Sequence, residues 1–366
     1  MARFIAFYLP QYHPIPENDK WWGKGFTEWT NVAKAKKLFP GHYQPRIPAD
    51  LGFYDLRLPE IKEAQANLAR EAGIEGFCYW HYWFGNGHRL LDMPFREVVS
   101  SGKPDFPFCL GWANHSWYKK LWDPDSPGKD FLLIEQKYLG VQDYIDHFNA
   151  LLPAFKDNRY MRVNNKLIFV IYTPLDSTEI ASFVSTWRRL AKEHGLNDFY
   201  FVGRDADSRY KERIFQLGID AIYNDDVFNI HHHANILKKV LLMLGRKWFK
   251  VPTIFSYKKA IKYMITEDCK NDNVIPVIAP NWDHSPRSGA NAILLHRSTP
   301  ELFKKLAQKA MGTVKNKPKQ QQLVFIKSWN EWGEGNYMEP DLKYGKGYIE
   351  ALAEVIHNSE TDLPKK

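Results

Sequence analysis

The chain has 366 residues, of which 44% are hydrophobic and 25% charged, with 13 Trp, 19 Tyr and 23 Phe and a formal net charge of +8. This is the make-up of a folded globular protein of one large or two small domains, and it excludes a disordered or fibrous chain. No stretch approaches the ~18 apolar residues of a membrane span, no basic run is long enough for a nucleic-acid arm, and the three cysteines, Cys78, Cys109 and Cys269, are too scattered for a disulfide framework or a zinc site.

The first element is FIAFYLP (4–10), too short for a signal-peptide core and read as a strand. With so few cysteines, a reducing, cytoplasmic location is expected. Residues 11–58 are rich in Pro, Gly and Trp and read as a long loop. Ile61, Ala64, Leu68 and Ala72 then mark a helical stripe. Apolar runs follow at EGFCYWHYW (75–83), FPFCLGWAN (106–114), KLIFVIY (166–172), DFYFVGRD (198–205), DAIYNDD (220–226), VIPVIAPNWD (274–283) and QLVFIKSWNEW (322–332). Most lack strict alternation, as parallel strands buried on both faces do. Helical spacing recurs between them at Val141–Phe155, Ile180–Ala191 and Leu302–Ala310, and again at Ile349–Ile356. Eight such units predict an α/β chain forming one (β/α)8 TIM barrel over 1–366, with insertions at about 11–58 and 227–273. A doubly wound open sheet is the rival, but LPQYHPIPEN carries no Gly-rich phosphate loop after the first strand. Within the second insertion, residues 235–250 alternate apolar Leu237, Val240, Leu241, Leu244 and Trp248 with basic Lys238, Lys239, Arg246, Lys247 and Lys250. That pattern fits either a barrel helix with a solvated basic side or a peripheral contact with an anionic membrane.

The strand ends are polar and aromatic. Tyr8, Gln11 and His13 end the first, with Glu28 and Trp29 in the loop above it. Trp80 and His81 end the second, Trp112 and Asn114 the third, Asn224 the sixth, Asn281 and Trp282 the seventh, and Asn330 the eighth. In barrel enzymes the C-terminal ends of the strands build the active site. These residues are the candidate substrate-binding set, although His13 or His81 reads equally as a hydrogen-bonded core histidine, and Asn330 as a support for Glu331. An aromatic excess at strand ends suits a carbohydrate cleft as well as a core. Neither metal nor cofactor is called for: His231-His232-His233 lacks ligand spacing. Asp123-Pro124-Asp125 and Asp205-Ala206-Asp207 match the short D-x-D element of nucleotide-sugar enzymes, yet neither ends a Rossmann-like strand.

The stretch IKSWNEWGEGNYMEP (326–340) is the strongest candidate for chemistry. Glu331 and Glu334 lie three residues apart between tryptophans and glycines. Glycosidic cleavage needs two carboxyl groups of unlike pKa, and Trp329 or Trp332 would desolvate one of them. On a straight strand the two would face opposite sides, so the pair requires the strand to end near Glu331. Otherwise one Glu only caps the following loop.

W-N-E-W-G-E-G-N-Y-M-E-P-D, with FYLPQYHPIPENDKWWGKGFTEWTNV (7–32), HYQPRIPADLGFYDLR (42–57), GIEGFCYWHYWF (73–84) and GKPDFPFCLGWAN (102–114), resembles the WbsX-type proteins of bacterial polysaccharide gene clusters, relatives of glycoside hydrolase family 99. The resemblance implies a (β/α)8 barrel and an oligosaccharide or polysaccharide substrate. It also implies an endo-α-mannosidase-like retaining mechanism in which Glu331 takes the proton of the sugar 2-hydroxyl and Glu334 protonates the leaving oxygen. The 1,2-anhydro sugar so formed is then opened by water. One departure stands out. The family pattern leads to A-N-E-x-W at the third strand, whereas this chain reads Ala113-Asn114-His115-Ser116-Trp117, which implies a changed sugar preference or a weakened site. Three functions follow as expectations: a retaining glycosidase or transglycosylase, a glycosyltransferase of O-antigen (lipopolysaccharide) or capsular polysaccharide biosynthesis, and a non-catalytic glycan-binding barrel.

Overall fold

The computed structural model describes residues 2–119, 131–206, 208–235, 242–246, 248 and 250–361. Along the chain the main elements are β1 (Arg3–Tyr8), α1 (Pro16–Trp22), α2 (Glu28–Ala33), α3 (Pro59–Glu71), β2 (Gly76–Trp83), α4 (Met93–Ser101), β3 (Phe108–Trp112), α5 (Val141–Phe155), β4 (Lys166–Ile171), α6 (Ile180–Glu193), β5 (Phe199–Asp205), α7 (Lys211–Phe215), β6 (Ala221–Asn224), β7 (Val277–Ile278), α8 (Pro300–Val314), β8 (Leu323–Ile326) and α9 (Gly347–Thr361). Apart from Arg3, the strands lie within the eight apolar runs, and the helices cover the five stripes. Helix α4 was not anticipated: Pro94 in its first turn and Gly102 in the left-handed conformation, φ 71°, delimit it more clearly than its short apolar stripe does.

The chain forms two compact units, one of residues 1–77 and 225–366 and the other of residues 78–224. In the first, β8 pairs in parallel with β1, Arg3 opposite Leu323 and Ala6 opposite Ile326, and with β7, Val277 opposite Phe325. Parallel pairing of the first and last strands is what barrel closure demands. In the second, β3, β4, β5 and β6 pair in parallel in that order, with Leu110 opposite Phe169, Ile168 opposite Tyr200 and Ala221 opposite Val202. The strand interiors are apolar on both faces: Leu167 to Ile171 are all fully buried, so neither face of β4 tolerates a polar residue without a partner. Helix α6 buries Phe183, Trp187 and Ala191 at the expected spacing.

The loop 11–58 is folded, not open. Leu56 N–H donates to Tyr12 O at 3.1 Å, Ala49 N–H to Pro340 O at 2.9 Å, and Trp29 Nε1 to Tyr54 O at 2.7 Å. It therefore packs directly on the residues that follow β8. The insertion 227–273 holds a 3-10 turn at Asp226–His231 and the strand Thr253–Ser256, which pairs in parallel with Ile293–His296. Of the segment 235–250, residues 236–241, 247 and 249 lie outside the described residues, while Met243, Leu244 and Trp248 are exposed. No helix among the described residues is long and apolar enough to cross a membrane.

Candidate active site

β8 ends at Ile326, and the chain then makes a small antiparallel ribbon, Asn330 opposite Tyr337 and Glu331 opposite Asn336, around a 3-10 turn at Trp332–Glu334. The turn breaks the alternation that would have sent Glu331 and Glu334 to opposite faces. The two glycines do different work. Gly335 sits at φ +52°, and a Cβ there would lie 2.7 Å from the Asp283 Cβ, so it makes the turn. Gly333 has an ordinary φ; a Cβ on it would fall 1.5 Å from Glu28 Oε1. Its hydrogen admits the Glu28 carboxylate against the backbone. Gly333→Ala is accordingly expected to destabilise the fold by about 1–3 kcal/mol, the usual cost of overpacking. A thermal melt indistinguishable from that of the parent chain would contradict this close approach.

One cation ties the carboxylates together. Arg287, on the short helix Ser285–Ser288, donates from Nη1 to Glu334 Oε1 at 2.6 Å and to Glu331 Oε1 at 3.3 Å, and from Nε to Glu28 Oε1 at 2.8 Å. Glu331 is pushed up to about 7, first by burial and then by the charge of Glu334, against the pull of Arg287 and Lys327. Burial would raise Glu334 too, but Arg287, His284 and Lys327 outweigh it and hold that carboxyl below the ordinary range. His284 Nε2 is 3.6 Å from Glu334 Oε1, and Lys327 donates to Asp225 at 2.8 Å. Two carboxyl groups with opposite shifts share one guanidinium nitrogen, which is the arrangement that divides acid from base.

The remaining candidates in this unit fall into two groups. Glu28 joins the cluster, and Trp282 stands near it, with Lys327 Nζ 5.0 Å above its ring. The others support the loop. Asn330 Nδ2 donates to Leu9 O at 3.0 Å, and its Oδ1 accepts from Leu9 N–H at 2.7 Å, so its amide clips the end of β1 to the turn that carries Glu331 and Glu334. Tyr8 donates to Gln65 Oε1 at 2.6 Å, towards α3, and is fully buried; the expected substrate contact does not hold for it. Trp29 packs on Tyr12, Tyr54 and Trp332 and is likewise buried. Asn281 is buried and donates to Tyr337 O at 3.3 Å. His13 is buried, and Gln11 accepts the Glu28 N–H at 3.0 Å through its main-chain carbonyl. Beneath them all, Glu339 accepts from Trp332 Nε1 at 2.6 Å, Gln65 Nε2 at 2.7 Å and Tyr54 Oη at 3.0 Å, while burial pushes it up to about 7.

In the second unit, His81 Nε2 lies 2.8 Å from His147 Nε2 of α5, and desolvation lowers His81 to about 3. His81 is thus the buried, hydrogen-bonded histidine and not a strand-end ligand. Trp112 also turns to the helices, against Phe183 and His147, and donates to Trp83 O at 3.0 Å. The cause is β-strand alternation: every second side chain faces the helical layer. Asn114 is spent on Thr173 and Tyr138. Trp80 meets Tyr172 edge to face at 5.3 Å, and His115 packs on the same Tyr172. Asn224 is buried with no partner for its amide among the described residues. Asp205 accepts from the Tyr210 amide at 3.0 Å, a local use of that acid, while Asp207 and Asp123-Pro124-Asp125 lie outside the described residues. His233 stacks on Tyr263.

Sequence reasoning missed Arg287 and Lys327. The one available signal was physical: two close buried carboxylates need a cation.

Three comparisons bear on this site. A family model described as Glycosyltransferase WbsX matches residues 4–352. The chain is 35% identical over 360 residues to the uncharacterized protein WxcX of Xanthomonas campestris pv. campestris, covering 97% of this chain and 50% of that one. It spans about half the length of the curated relatives it matches. Among solved structures, a glycoside hydrolase-like protein aligns with TM-score 0.62 at 13% identity, covering 97% of this chain and 93% of the other. The GH99 endo-alpha-mannosidase from Bacteroides thetaiotaomicron aligns with TM-score 0.59 at 14% identity, covering 98% and 97%. At these identities the likeness carries the fold, which is the (β/α)8 barrel.

Proposed function

The chain belongs to the WbsX family, and from that premise we propose that it is a carbohydrate-active enzyme that cleaves an α-linked glycoside with mannose-like geometry at C2 in a bacterial polysaccharide. The observation that carries this is the carboxylate pair, Glu331 and Glu334, bound to one nitrogen of Arg287 and driven apart in pKa. Breaking a glycosidic bond takes a proton for the leaving oxygen and a base to drive displacement at C1. A pair that holds one proton near neutral pH supplies both.

In the proposed sequence Glu331 removes the proton of the sugar 2-hydroxyl, the 2-oxygen attacks C1, and the departing oxygen takes the proton of Glu334. Water then loses a proton to Glu334 and opens the 1,2-anhydro sugar at C1, while the 2-oxygen recovers its proton from Glu331. Two inversions give retention. The resting site holds its proton the other way round, on Glu331, because Arg287 fixes negative charge on Glu334. The scheme therefore requires substrate to draw Arg287 off Glu334, so that the proton crosses the pair. Transfer to another sugar in place of water is favoured by one observation, the description of the matching family as glycosyltransferases.

The test is incubation with α-linked glycans without any nucleotide donor, following new reducing ends across the pH range. Release is expected, with kcat/KM falling as pH rises through about 7, where the pair loses its last proton. It should fall again on the acid side, where Glu334 takes one up. Activity that appears only on adding a nucleotide sugar would establish the transferase instead. A profile flat through 7 would remove Glu331 from the chemistry.

A further inference from the structure

Apart from the carboxylate cluster, the first unit encloses a cavity of about 60 Å³ bordered by the loop at His42–Arg46, the strand Ile293–His296 and the segment Asp341–Tyr344. That room takes several waters or one carboxylate or phosphate group, not a sugar ring. Its polar lining is unevenly spent. The acids are engaged: Asp283 lies 2.8 Å from His42 Nε2 and accepts from Gln44 Nε2 at 2.8 Å and the Ser285 amide at 3.0 Å. Asp341 accepts from the Tyr337 hydroxyl at 2.6 Å and from the amides of Lys343 and Tyr344 at 2.9 and 2.7 Å.

The cations are less engaged. Arg46, 7% exposed, donates from Nη1 to Gly335 O at 3.1 Å, lies 3.8 Å from Asp283 and stands over the rings of Tyr43 and Tyr337 at 5.6 and 5.5 Å, while its Nε has no hydrogen-bond partner among the described residues. Lys343 stands over the rings of Tyr43 and Tyr344 at 4.6 and 4.7 Å. Lys343 and Arg297 line the same space with no carboxylate in ion-pair range among the described residues. His296, on the same wall, is held below the ordinary imidazole value by burial and then by Arg297, His42 and Lys343, as expected in a positive field. A buried donor left unmet costs free energy that a bound acceptor recovers.

We propose that this cavity is an anion pocket that takes the carboxylate or phosphate group of an acidic glycan and docks that chain beside the catalytic turn. The coupling is short, since the carbonyl that Arg46 holds belongs to Gly335, the neighbour of Glu334. Only the identity of the carrier, a glycan, rests on the function proposed above.

The test is calorimetric titration of the full chain with glucuronate, glucose 1-phosphate, inorganic phosphate and glucose. The sugar acids are expected to bind and glucose not, with affinity falling as salt rises. Preference for glucuronate or for glucose 1-phosphate identifies the group. The double variant Lys343→Ala/Arg297→Ala, at exposed or rim positions, should weaken binding by roughly tenfold or more, as loss of charge-assisted contacts does. Arg46→Met should abolish it. Glu331→Gln should leave binding unchanged, which separates this pocket from the catalytic pair and makes the result independent of turnover. Equal binding of glucose, binding of inorganic phosphate alone, or unchanged affinity in the double variant would overturn the proposal.

Discussion

Glutamine in place of Glu331 or Glu334 is expected to lower glycan turnover by roughly 10²–10⁴-fold in each case, the usual worth of a positioned proton-transfer group. Both changes keep the size of the side chain and remove its capacity to exchange a proton, so KM should move far less than kcat. The two variants should differ on a substrate with a good leaving group. If Glu334 protonates the leaving oxygen, Glu334→Gln recovers activity there, because such a group departs without a proton. Glu331→Gln should not recover, since the 2-hydroxyl still needs a base. The opposite pattern would exchange the roles, in line with the resting charges, where Glu331 is the protonated member. Full activity in both variants would end the case for the pair. The double variant should be little worse than the worse single one, because the residues act as a unit.

Arg287→Met is the second large effect. It leaves Glu28, 2% exposed, and the Glu331–Glu334 pair without their shared counter-ion. Removing one partner of a buried ionic cluster costs about 3–5 kcal/mol. The sign with pH follows from the groups left behind. Without the guanidinium, burial and mutual repulsion raise the carboxyls of Glu331 and Glu334 above their unfolded values. Stability in the variant is then retained below the unfolded carboxylate range, where these groups are neutral in both states, and lost as pH rises through the raised values. Thermal melts of parent and variant at acid and neutral pH should diverge towards neutrality. An equal deficit at both would reduce Arg287 to a packing residue. The acid limb of any residual activity should also move up, since Glu334 no longer has its strongest reason to stay ionised.

The strands and helices were legible because each is declared locally. A run such as Leu167 to Ile171 carries its own hydrophobic signal, and Phe183, Val184, Trp187 and Ala191 repeat with the helical period whatever they pack on. Individual site residues were legible to differing degrees. Strand ends are easy to find, but the direction of a side chain there depends on phase. One position of phase separates Trp80, which faces Tyr172, from His81, which faces His147 on a helix. Asn330 read either as a sugar ligand or as a support for Glu331, and its contact with Leu9 was not legible because that partner is 321 residues away along the chain.

By itself, the sequence determined the eight apolar strand runs, five of the helices and the two glutamates at the end of the last strand, all properties of short windows. Only the tertiary structure decided what those glutamates touch. Arg287 and Glu28 lie 259 residues apart in the chain and 2.8 Å apart in space. The opposite pKa shifts of Glu331 and Glu334 are set by burial, by the charge of Glu334 acting on Glu331 and by the cations around them, Arg287 foremost. Charge acts through space, and local sequence patterns do not register it.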